Sequence, residues 1–185
     1  MSLALRPLIR EQPRLGRLVK TDRLDFDWVK ERMALCDQRA VRPPFSSSIT
    51  IRAIDVTRHC IVDLNDGERY VTLSYVWGDA EQLWFKREEE MSLRRPRSLF
   101  SKQHLIPRTV RDAIRLVREI GERYLWVDAL CIIQDDDDDR LEQIQHMGDI
   151  YHECVLTIVA CCGKDADYGL PGVQPGTRQI KQIAE

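Results

Sequence analysis

Six residues in or directly after two apolar runs have side chains or backbone positions that could bind or attack a ligand. A carboxylate stabilises positive charge that develops on a sugar during bond cleavage, a hydroxyl can hold a ribose or a phosphate, and an indole can stack on a planar ring. The sequence therefore predicts a ligand crevice with one candidate catalytic acid, Asp128, and five candidate ligand-binding residues. These five are Ser74, Tyr75, Trp77, Gly78 and Gln134.

Asp128 is the only acid inside the apolar run 124–133. A carboxylate in such a run must be paired or hydrogen-bonded, or its pKa rises. One hypothesis places Asp128 in the crevice, where it orients a ribose or a catalytic partner. The other has it accept hydrogen bonds from backbone N–H groups of the turn at 74–78, so that it holds two strand ends together. Both hypotheses remain open from the residues alone.

The other candidates also have structural interpretations. The hydroxyl of Ser74 could satisfy a neighbouring backbone group, which is where most side-chain hydrogen bonds go. Trp77 could cap the core with its N–H bonded, and this is the favoured interpretation over stacking on a ligand. Gly78 should supply a backbone conformation or a close approach that a Cβ atom would block.

The six cysteines predict reduced thiols. Cys131 and Cys161 fall inside apolar runs, where a free cysteine behaves as a small hydrophobe. A nucleophilic cysteine needs an open, electropositive setting, so a core position is favoured for Cys131. No metal is expected, because the nearest group of ligand types lacks a usual zinc spacing. That group is His146, His152 and Cys154.

Three apolar runs predict β-strands at residues 70–78, 124–133 and 155–161. Apolar and aromatic residues occupy both parities of the first run, so both of its faces should be buried, as in a central strand of a parallel sheet. The segments between the runs have helical period. The order strand, helix, strand, helix, strand predicts an α/β fold with right-handed crossovers, and a ligand site beyond the carboxyl ends of the strands.

Helix signals flank these strands. Thr109 followed by Asp112 resembles a capping box, and Gly121 is a natural C-cap for the same helix. The acidic run Asp135–Asp139 is interpreted as the solvated N-terminus of the next helix rather than a cation site. The predicted buried face of that helix is Leu141, Ile144, Met147, Gly148 and Tyr151.

The remaining segments are less regular. Residues 1–21 predict a leader without regular structure, 22–38 a helix with Phe26, Val29, Met33 and Cys36 on one face, and 42–48 a Pro/Ser linker. An extended segment at 49–56 precedes the first strand. Residues 79–106 have no clean period, and they form either a lid over the strand ends or a solvated insertion.

Composition excludes several classes of protein. The 185 residues suit one domain with an appendage, and 43% hydrophobic content can fill a core. The net charge of -2 gives no reason to expect a nucleic acid or an anionic membrane as partner. No apolar stretch approaches the roughly 20 residues of a membrane helix, and the start lacks a secretory signal. We therefore expect a cytoplasmic protein.

Several blocks resemble the fungal heterokaryon incompatibility domain, the HET domain. The opening block is Leu73–Gly78, and the block 125–135 (LWVDALCIIQD) is similar to the most recognisable part of that family. Matching segments lie before, between and after these two blocks, in order and with family-like spacing over about residues 50 to 175. They are Arg52–Val56, Pro107–Ala113, Gln145–Tyr151, Thr157–Ala160 and Gly169–Gly172.

The resemblance implies a function and a fold. HET domains act in non-self recognition between fused fungal cells and promote programmed cell death. They are thought to be distantly similar to TIR domains, which have a flavodoxin-like sheet, and some TIR domains cleave nicotinamide from NAD using a Glu. The resemblance therefore implies a flavodoxin-like or TIR-like fold, with NAD as the expected substrate if the chain is an enzyme and no cofactor otherwise. The expected partners are a second copy or other incompatibility proteins.

One departure from the family pattern bears on catalysis. HET domains usually continue to a block resembling Arg-Gly-Trp-Thr-Phe-Gln-Glu, which could supply a catalytic Glu, and the sequence ends at Glu185 without it. We therefore expect residues 1–48 to be a leader with one helix and a linker, and residues 49–185 to be a HET domain incomplete at its C-terminal side. The alternatives to a recognition function are a TIR-like NAD glycohydrolase and an inactive, truncated interaction module.

Overall fold

A computed structural model describes residues 22–37 and 49–178, and its centre is one five-stranded sheet flanked by helices. The strands are β1 (Arg52–Asp55), β2 (Cys60–Asp63), β3 (Tyr70–Ser74), β4 (Tyr124–Trp126) and β5 (Leu156–Val159). The α-helices in these ranges are α1 (Phe26–Asp37), α2 (Glu90–Leu93), α3 (Ser98–Ser101), α4 (Arg108–Glu119), α5 (Asp128–Cys131), α6 (Asp137–Gln145) and α7 (Met147–Glu153). Short 3-10 turns cover Arg87–Glu89 and Gln103–Leu105.

The strand order is β2-β1-β4-β3-β5. Strand β3 pairs in parallel with both β4 and β5, with Val71 opposite Leu125 on one side and Leu156 on the other. The prediction of three adjacent parallel strands is therefore confirmed, and Tyr70 to Leu73 are buried as expected for a central strand. The extended segment at 49–56 is also confirmed, because it contains β1.

The sheet is mixed rather than wholly parallel, which corrects the prediction. Strand β1 pairs antiparallel with β4 and with β2. Strand β2 was missed because it is only four residues long, Cys60–Asp63, and has turn residues on either side. A hairpin needs only a short connection, whereas parallel neighbours need a crossover, so β1 and β2 could join the edge of the sheet without a helix between them.

The second predicted strand, 124–133, is wrong beyond its first three residues. Strand β4 ends at Trp126, and α5 begins at Asp128. The turn is stabilised locally, because the Asp128 carboxylate accepts the Ala129 N–H at 2.7 Å and the Cys131 sulfur accepts the Val127 N–H at 3.3 Å. An apolar run of this length therefore contains a strand and a buried helical turn.

The other two strands are also shorter than predicted. Strand β3 ends at Ser74, and β5 ends at Val159. Cys161 consequently lies beyond β5 and is exposed, so its assignment as a core residue is wrong. All six cysteines lie in the described ranges and are free thiols.

Helix α4 forms where predicted, and Gly121 follows it with a φ of 87°, as a C-cap glycine does. The predicted capping box is wrong. The Thr109 hydroxyl accepts the Gly169 N–H at 3.0 Å, and the Asp112 carboxylate accepts the Leu170 N–H at 2.9 Å. The helix start is capped instead from a distant loop, because Asp167 Oδ1 accepts the Arg108 N–H at 2.8 Å.

The helix predicted after Asp135 is interrupted at His146, which ends α6 and precedes α7. This break changes which side chains face the core. Leu141 and Ile144 are 58% and 53% exposed, so their predicted burial is wrong, while Gln143 and Ile150 are buried. Gln143 is held in place because its amide donates to the Thr50 carbonyl at 3.3 Å.

Residues 79–106 are neither a structureless lid nor a solvated insertion. They contain α2, α3 and two 3-10 turns, and they bury five apolar side chains: Leu83, Phe85, Leu93, Leu99 and Ile106. The Phe85 N–H donates to the Ala129 carbonyl at 2.9 Å, so the segment is bonded to α5. Periodicity missed it because short irregular turns place the buried residues at unequal spacing.

The predicted helix at 22–38 forms as α1. Its half-buried side chains Phe26, Val29 and Met33 pack against the core, but Cys36 is exposed. The predicted leader (1–21) and linker (42–48) lie outside the described residues. Within the described ranges, no helix combines the length and the apolar character that crossing a bilayer requires.

Candidate functional site

The carboxyl ends of β3, β4 and β5 meet at one edge of the sheet, and a cleft of about 470 Å³ opens there. From β3 the chain crosses to β4 on one side, and from β4 it crosses back to β5 on the other side of β3. Ligands in open α/β sheets bind at such a reversal of strand order. The cleft lies between the loops after β3 and β5 and the start of α4, and its lining residues are Asp79, Ala80, Glu81, His104, Ile106, Pro107, Arg111, Lys164, Asp165 and Asp167.

Asp128 lies at this edge as the first residue of α5 and is partly buried. Its Oδ2 accepts the indole N–H of Trp77 at 3.0 Å, and its Oδ1 accepts the Ala129 N–H. Burial raises the pKa of Asp128, and the hydrogen bonds from Ala129, Trp77 and Tyr75 offset only part of that effect. No lysine or arginine forms an ion pair with this carboxylate in the described part of the chain.

The hydrogen bonds of Asp128 agree with the hypothesis that this residue holds two strand ends together. The loop after β3 is joined to the loop after β4 through the Trp77–Asp128 contact. The donor differs from the expected one, because it is a side-chain indole and not the backbone of the turn at 74–78. A catalytic role for Asp128 stays a prediction.

Tyr75 extends the hydrogen-bonded group around Asp128. Its hydroxyl lies 3.1 Å from Gln82 Oε1, and the buried Gln82 Nε2 has no hydrogen-bond partner among the residues that the structure describes. With the amide rotated by half a turn, Nε2 would donate to the Tyr75 hydroxyl, which could then donate to Asp128. Burial, followed by the charge of Asp128, raises the pKa of Tyr75, so this hydroxyl stays protonated. Sequence reasoning missed Gln82, which carries no motif.

Trp77 is 38% exposed, so its predicted place in the core is wrong. Its ring packs edge-to-face on Trp84, with centroids 4.8 Å apart and an interplanar angle of 77°. Aromatic pairs favour this geometry, which holds the Trp77 indole in position above Asp128 while part of the ring faces solvent. Stacking of Trp77 on a ligand stays a prediction.

Gln134 and Ser74 are occupied by contacts within the fold. The Gln134 amide donates to the Asp128 carbonyl at 2.9 Å and to the Ile132 carbonyl at 3.0 Å. Ser74 ends β3 beside Tyr151, whose hydroxyl donates to the Leu73 carbonyl at 3.2 Å; burial raises the pKa of Tyr151, and the nearby Ser74 side chain lowers that pKa by a smaller amount. None of the six predicted site residues lines the cleft, and their roles in ligand binding stay predictions.

Gly78 meets both of the physical requirements predicted for it. Its φ is 59°, in the left-handed region that favours glycine. A Cβ atom there would lie 2.6 Å from Asp165 Cβ and 2.7 Å from the Lys164 carbonyl oxygen. The loop after β3 and the loop after β5 can therefore touch only because residue 78 has no side chain.

The cleft carries charges of both signs, which sequence reasoning missed. Arg111 donates to the Gln103 carbonyl at 3.2 Å, but neither Arg111 nor Lys164 forms an ion pair among the described residues. Asp79 and Glu81 on the opposite loop are likewise unpaired there. These residues come from segments far apart in sequence, so no local spacing could have indicated that they share a cleft.

Cys131 is not a nucleophile in this arrangement. Its sulfur is buried, and burial raises the pKa of the Cys131 thiol to about 12. The core interpretation of this residue is confirmed. Among the described residues, no group of three or more His, Cys, Asp or Glu side chains is placed to hold a metal ion.

Comparison with known proteins identifies the chain through its parallel strands. The family model described as heterokaryon incompatibility protein (HET) matches residues 70–185, which is more than half of the chain and begins at the first residue of β3. The chain belongs to the heterokaryon incompatibility family. The matched range of this HET chain contains all of β3, β4 and β5 and the cleft residues, but it excludes β1 and the resembling segment Arg52–Val56.

A curated relative supports this assignment over a shorter stretch. The HET chain is 31% identical over 99 residues to "Heterokaryon incompatibility protein 6, OR allele" of Neurospora crassa. The alignment covers 49% of this chain and 14% of the relative, so the chain spans a small part of that protein's length. No solved structure matches.

Proposed function

We propose that this HET chain acts in fungal non-self recognition and promotes programmed cell death in the cytoplasm, and that it does so by self-association rather than by chemistry of its own. Family membership supports the biological role. The observation that carries the association is a row of exposed apolar side chains along the carboxyl edge of β3 and β5. Isolated exposed apolar residues are common, but several along one edge mark an interaction site.

The row begins in the loop after β3. Val76 is 58% exposed and Trp77 is 38% exposed. On the neighbouring strand, Val159 is 58% exposed at the end of β5, where it stands opposite Ser74. Tyr168, 52% exposed, packs against Gly163 in the loop after β5. A second copy of the chain could cover these side chains, and burial of apolar area would drive the association.

The strand order supports a flavodoxin-like, and hence TIR-like, fold as part of the proposal. Numbered from β3, the parallel strands lie in the order second, first, third, which is how the flavodoxin-like order begins. The antiparallel pair β1 and β2 extends the sheet at the β4 side. A flavodoxin-like core would place the ligand site between β3 and β5, where the cleft lies.

The rival function is hydrolysis of NAD. The observation that favours it is the partly buried Asp128 carboxylate beside the exposed Trp77 ring, which could stack on a base. Cleavage of the nicotinamide–ribose bond develops positive charge on the sugar, which an ionised carboxylate would stabilise. Both oxygens of Asp128 already accept hydrogen bonds, and burial disfavours its charged form, so we place this function second.

Light scattering on the purified chain tests the association. We expect the mean mass to rise with protein concentration, and Val76→Asp to keep the chain monomeric because it places a charge in the row. Met91→Asp is the matched control, since Met91 is 75% exposed on α2 in a different segment. A chain that stays monomeric at every concentration, or equal loss of association in both variants, would contradict the proposal.

Expression in a fungal host tests the link to cell death. We expect the chain to slow growth relative to an empty vector, and Val76→Asp to restore growth while Met91→Asp does not. Equal growth with the chain and the empty vector would instead support an inactive module.

A further inference from the structure

Two adjacent cysteines lie at the same edge of the sheet and take no part in the proposed association. Cys161 and Cys162 follow β5 directly, and both are exposed. In the part of the chain that the structure describes, neither sulfur has a hydrogen-bond partner. Exposed free thiols are accessible to oxidants, whereas the buried Cys60 and Cys131 are not.

The segment that follows the two thiols is in contact with the candidate site on both of its sides. The Ala166 N–H donates to the Trp77 carbonyl at 3.0 Å, and the Ala166 carbonyl accepts the Thr109 N–H at 3.0 Å. Ala166 is fully buried, and Lys164 and Asp165 lie against Gly78 with no room for a Cβ atom. A change in backbone direction at residues 161–162 would therefore move groups packed on Trp77 and lining the cleft.

We propose that Cys161 and Cys162 form a reversible redox modification site, in which a peroxide closes a disulfide between the two neighbours and thereby shifts the loop that supports Trp77. This inference concerns regulation and goes beyond the proposed association. One thiolate attacks one oxygen of the peroxide, the O–O bond breaks, and the other oxygen takes up a proton and leaves as water (or as an alcohol from an organic peroxide), so that the first sulfur becomes a sulfenic acid. The second sulfur displaces the hydroxyl as water, so the pair loses two hydrogens and two electrons while the peroxide is reduced.

Because the two cysteines are adjacent, a disulfide between them would be a reversible modification rather than a crosslink that stabilises the fold. Consecutive Cα atoms are about 3.8 Å apart, while disulfides usually span about 4.4–6.8 Å between Cα atoms. A bond between neighbours therefore distorts the backbone that it joins. Strained and exposed disulfides are the ones that reductants open most easily. Closure should move the loop, and reduction should return it.

Mass spectrometry after peroxide treatment tests the bond. The experiment uses a Cys154→Ser background, because trypsin places Cys154 in the same peptide, 141–164, and because serine can keep the hydrogen bonds to Thr72 and Thr157. We expect this peptide to lose two hydrogens, to resist alkylation, and to recover both properties on reduction. Cys161→Ser and Cys162→Ser should each abolish the loss, while Cys36→Ser, which removes another exposed thiol, should not.

Tryptophan fluorescence measured on the same samples tests transmission to the site. We expect a reversible change on oxidation that either single serine variant removes. An unpaired sulfenic or sulfinic acid, or a disulfide between two chains in place of the internal bond, would overturn the proposed site. An internal disulfide that leaves the fluorescence unchanged would overturn the proposed movement of the loop.

Discussion

A fully buried and a partly buried aspartate at opposite ends of β4 show how differently one residue type can be used. Asp55, at the end of β1, is fully buried and accepts the Thr57 and Arg58 N–H groups at 2.9 and 2.8 Å and the Arg123 guanidinium at 2.8 Å. Burial alone would raise the pKa of Asp55, but Arg123 and the two N–H groups outweigh burial and hold that pKa below its usual value. Asp128 has no such cation within residues 22–37 and 49–178, and burial raises its pKa.

A second carboxylate, that of Asp139, is also paired with an arginine. Both carboxylate oxygens of Asp139 on α6 accept from a single guanidinium nitrogen, Nη2 of Arg52 on β1, at 2.6 Å, and Oδ2 also accepts the Ile133 N–H at 2.8 Å. The Arg52 Nε also donates to the Cys131 carbonyl at 2.8 Å. Arginine side chains therefore neutralise the two carboxylates beside β1. The Asp128 carboxylate has no such cation among the described residues. Perturbed groups of this kind are found at functional sites.

The largest effect should follow loss of the Arg52 guanidinium. Arg52→Ala leaves Asp139 buried without its cation, and breaking a buried ion pair in this way costs about 3–5 kcal/mol. Urea unfolding would measure the loss in the free energy of unfolding. Arg52→Lys should recover only part of it, because an ammonium lacks the planar guanidinium that bonds Asp139 through Nη2 and the Cys131 carbonyl through Nε. A loss below about 1 kcal/mol for Arg52→Ala would show that this charge is not compensated as described.

A smaller, pH-dependent effect is expected at Asp55. Asp55→Asn should cost about 2 kcal/mol near neutral pH, because it weakens charge-assisted hydrogen bonds to a buried acceptor. The folded pKa of Asp55 is lowered, so its contribution is complete above the unfolded value of about 3.9 and is lost as the pH falls through the folded pKa. The difference between the two proteins should therefore narrow in acid, as followed by urea unfolding at a series of pH values. A difference that stays constant below that pH would contradict the lowered pKa.

Asp128→Asn should show the opposite trend with pH and a smaller effect. Near neutral pH we expect a change in the free energy of unfolding within about 1 kcal/mol, because removing an uncompensated charge offsets the weaker hydrogen bonds. The folded pKa of Asp128 is raised, so its charge costs stability above that pKa, and the cost disappears as the pH falls below the unfolded value. Wild type should therefore gain stability relative to the variant in acid. A gain by the variant would reverse the assignment of this site.

The smallest expected effect is a change in one NMR resonance. The Trp77 indole N–H bonds to the Asp128 carboxylate, so its chemical shift should follow the protonation of Asp128, with a midpoint above the usual aspartate range. The Trp84 indole resonance serves as the internal control. Asp128→Asn should abolish the titration of Trp77. A titrating resonance that persists in this variant would mean that another group controls Trp77.

The sequence was sufficient for the parts of the fold that depend on long apolar runs. The three parallel strands, α4 and the need for glycine at 78 follow from periodicity and backbone sterics. Strand β2 and residues 79–106 were not predictable, because β2 is only four residues long and the buried residues of 79–106 come in short, irregular turns. The turn at Asp128 depends on a strand end becoming a helix inside one apolar run, which composition cannot distinguish from a longer strand.

The site was predictable only in part. Tyr75, Trp77 and Asp128 do meet, because they follow the ends of adjacent parallel strands. Their contacts were not predictable, since Gln82 and Trp84 join them from a segment without periodicity. The cleft could not be predicted from the sequence for a related reason. Arg111 and Lys164 are brought together only by the crossing of the chain around β3, and no spacing in the sequence records that proximity.

Nicotinamide release from NAD tests most directly whether the Asp128 carboxylate is a structural or a catalytic group. The purified chain would be incubated with NAD for hours at high protein concentration, beside Asp128→Asn and a sample without protein. We predict no release above the sample without protein, because both oxygens of Asp128 are held by Trp77 and Ala129. Robust release that Asp128→Asn abolishes would contradict this account and would make Asp128 catalytic.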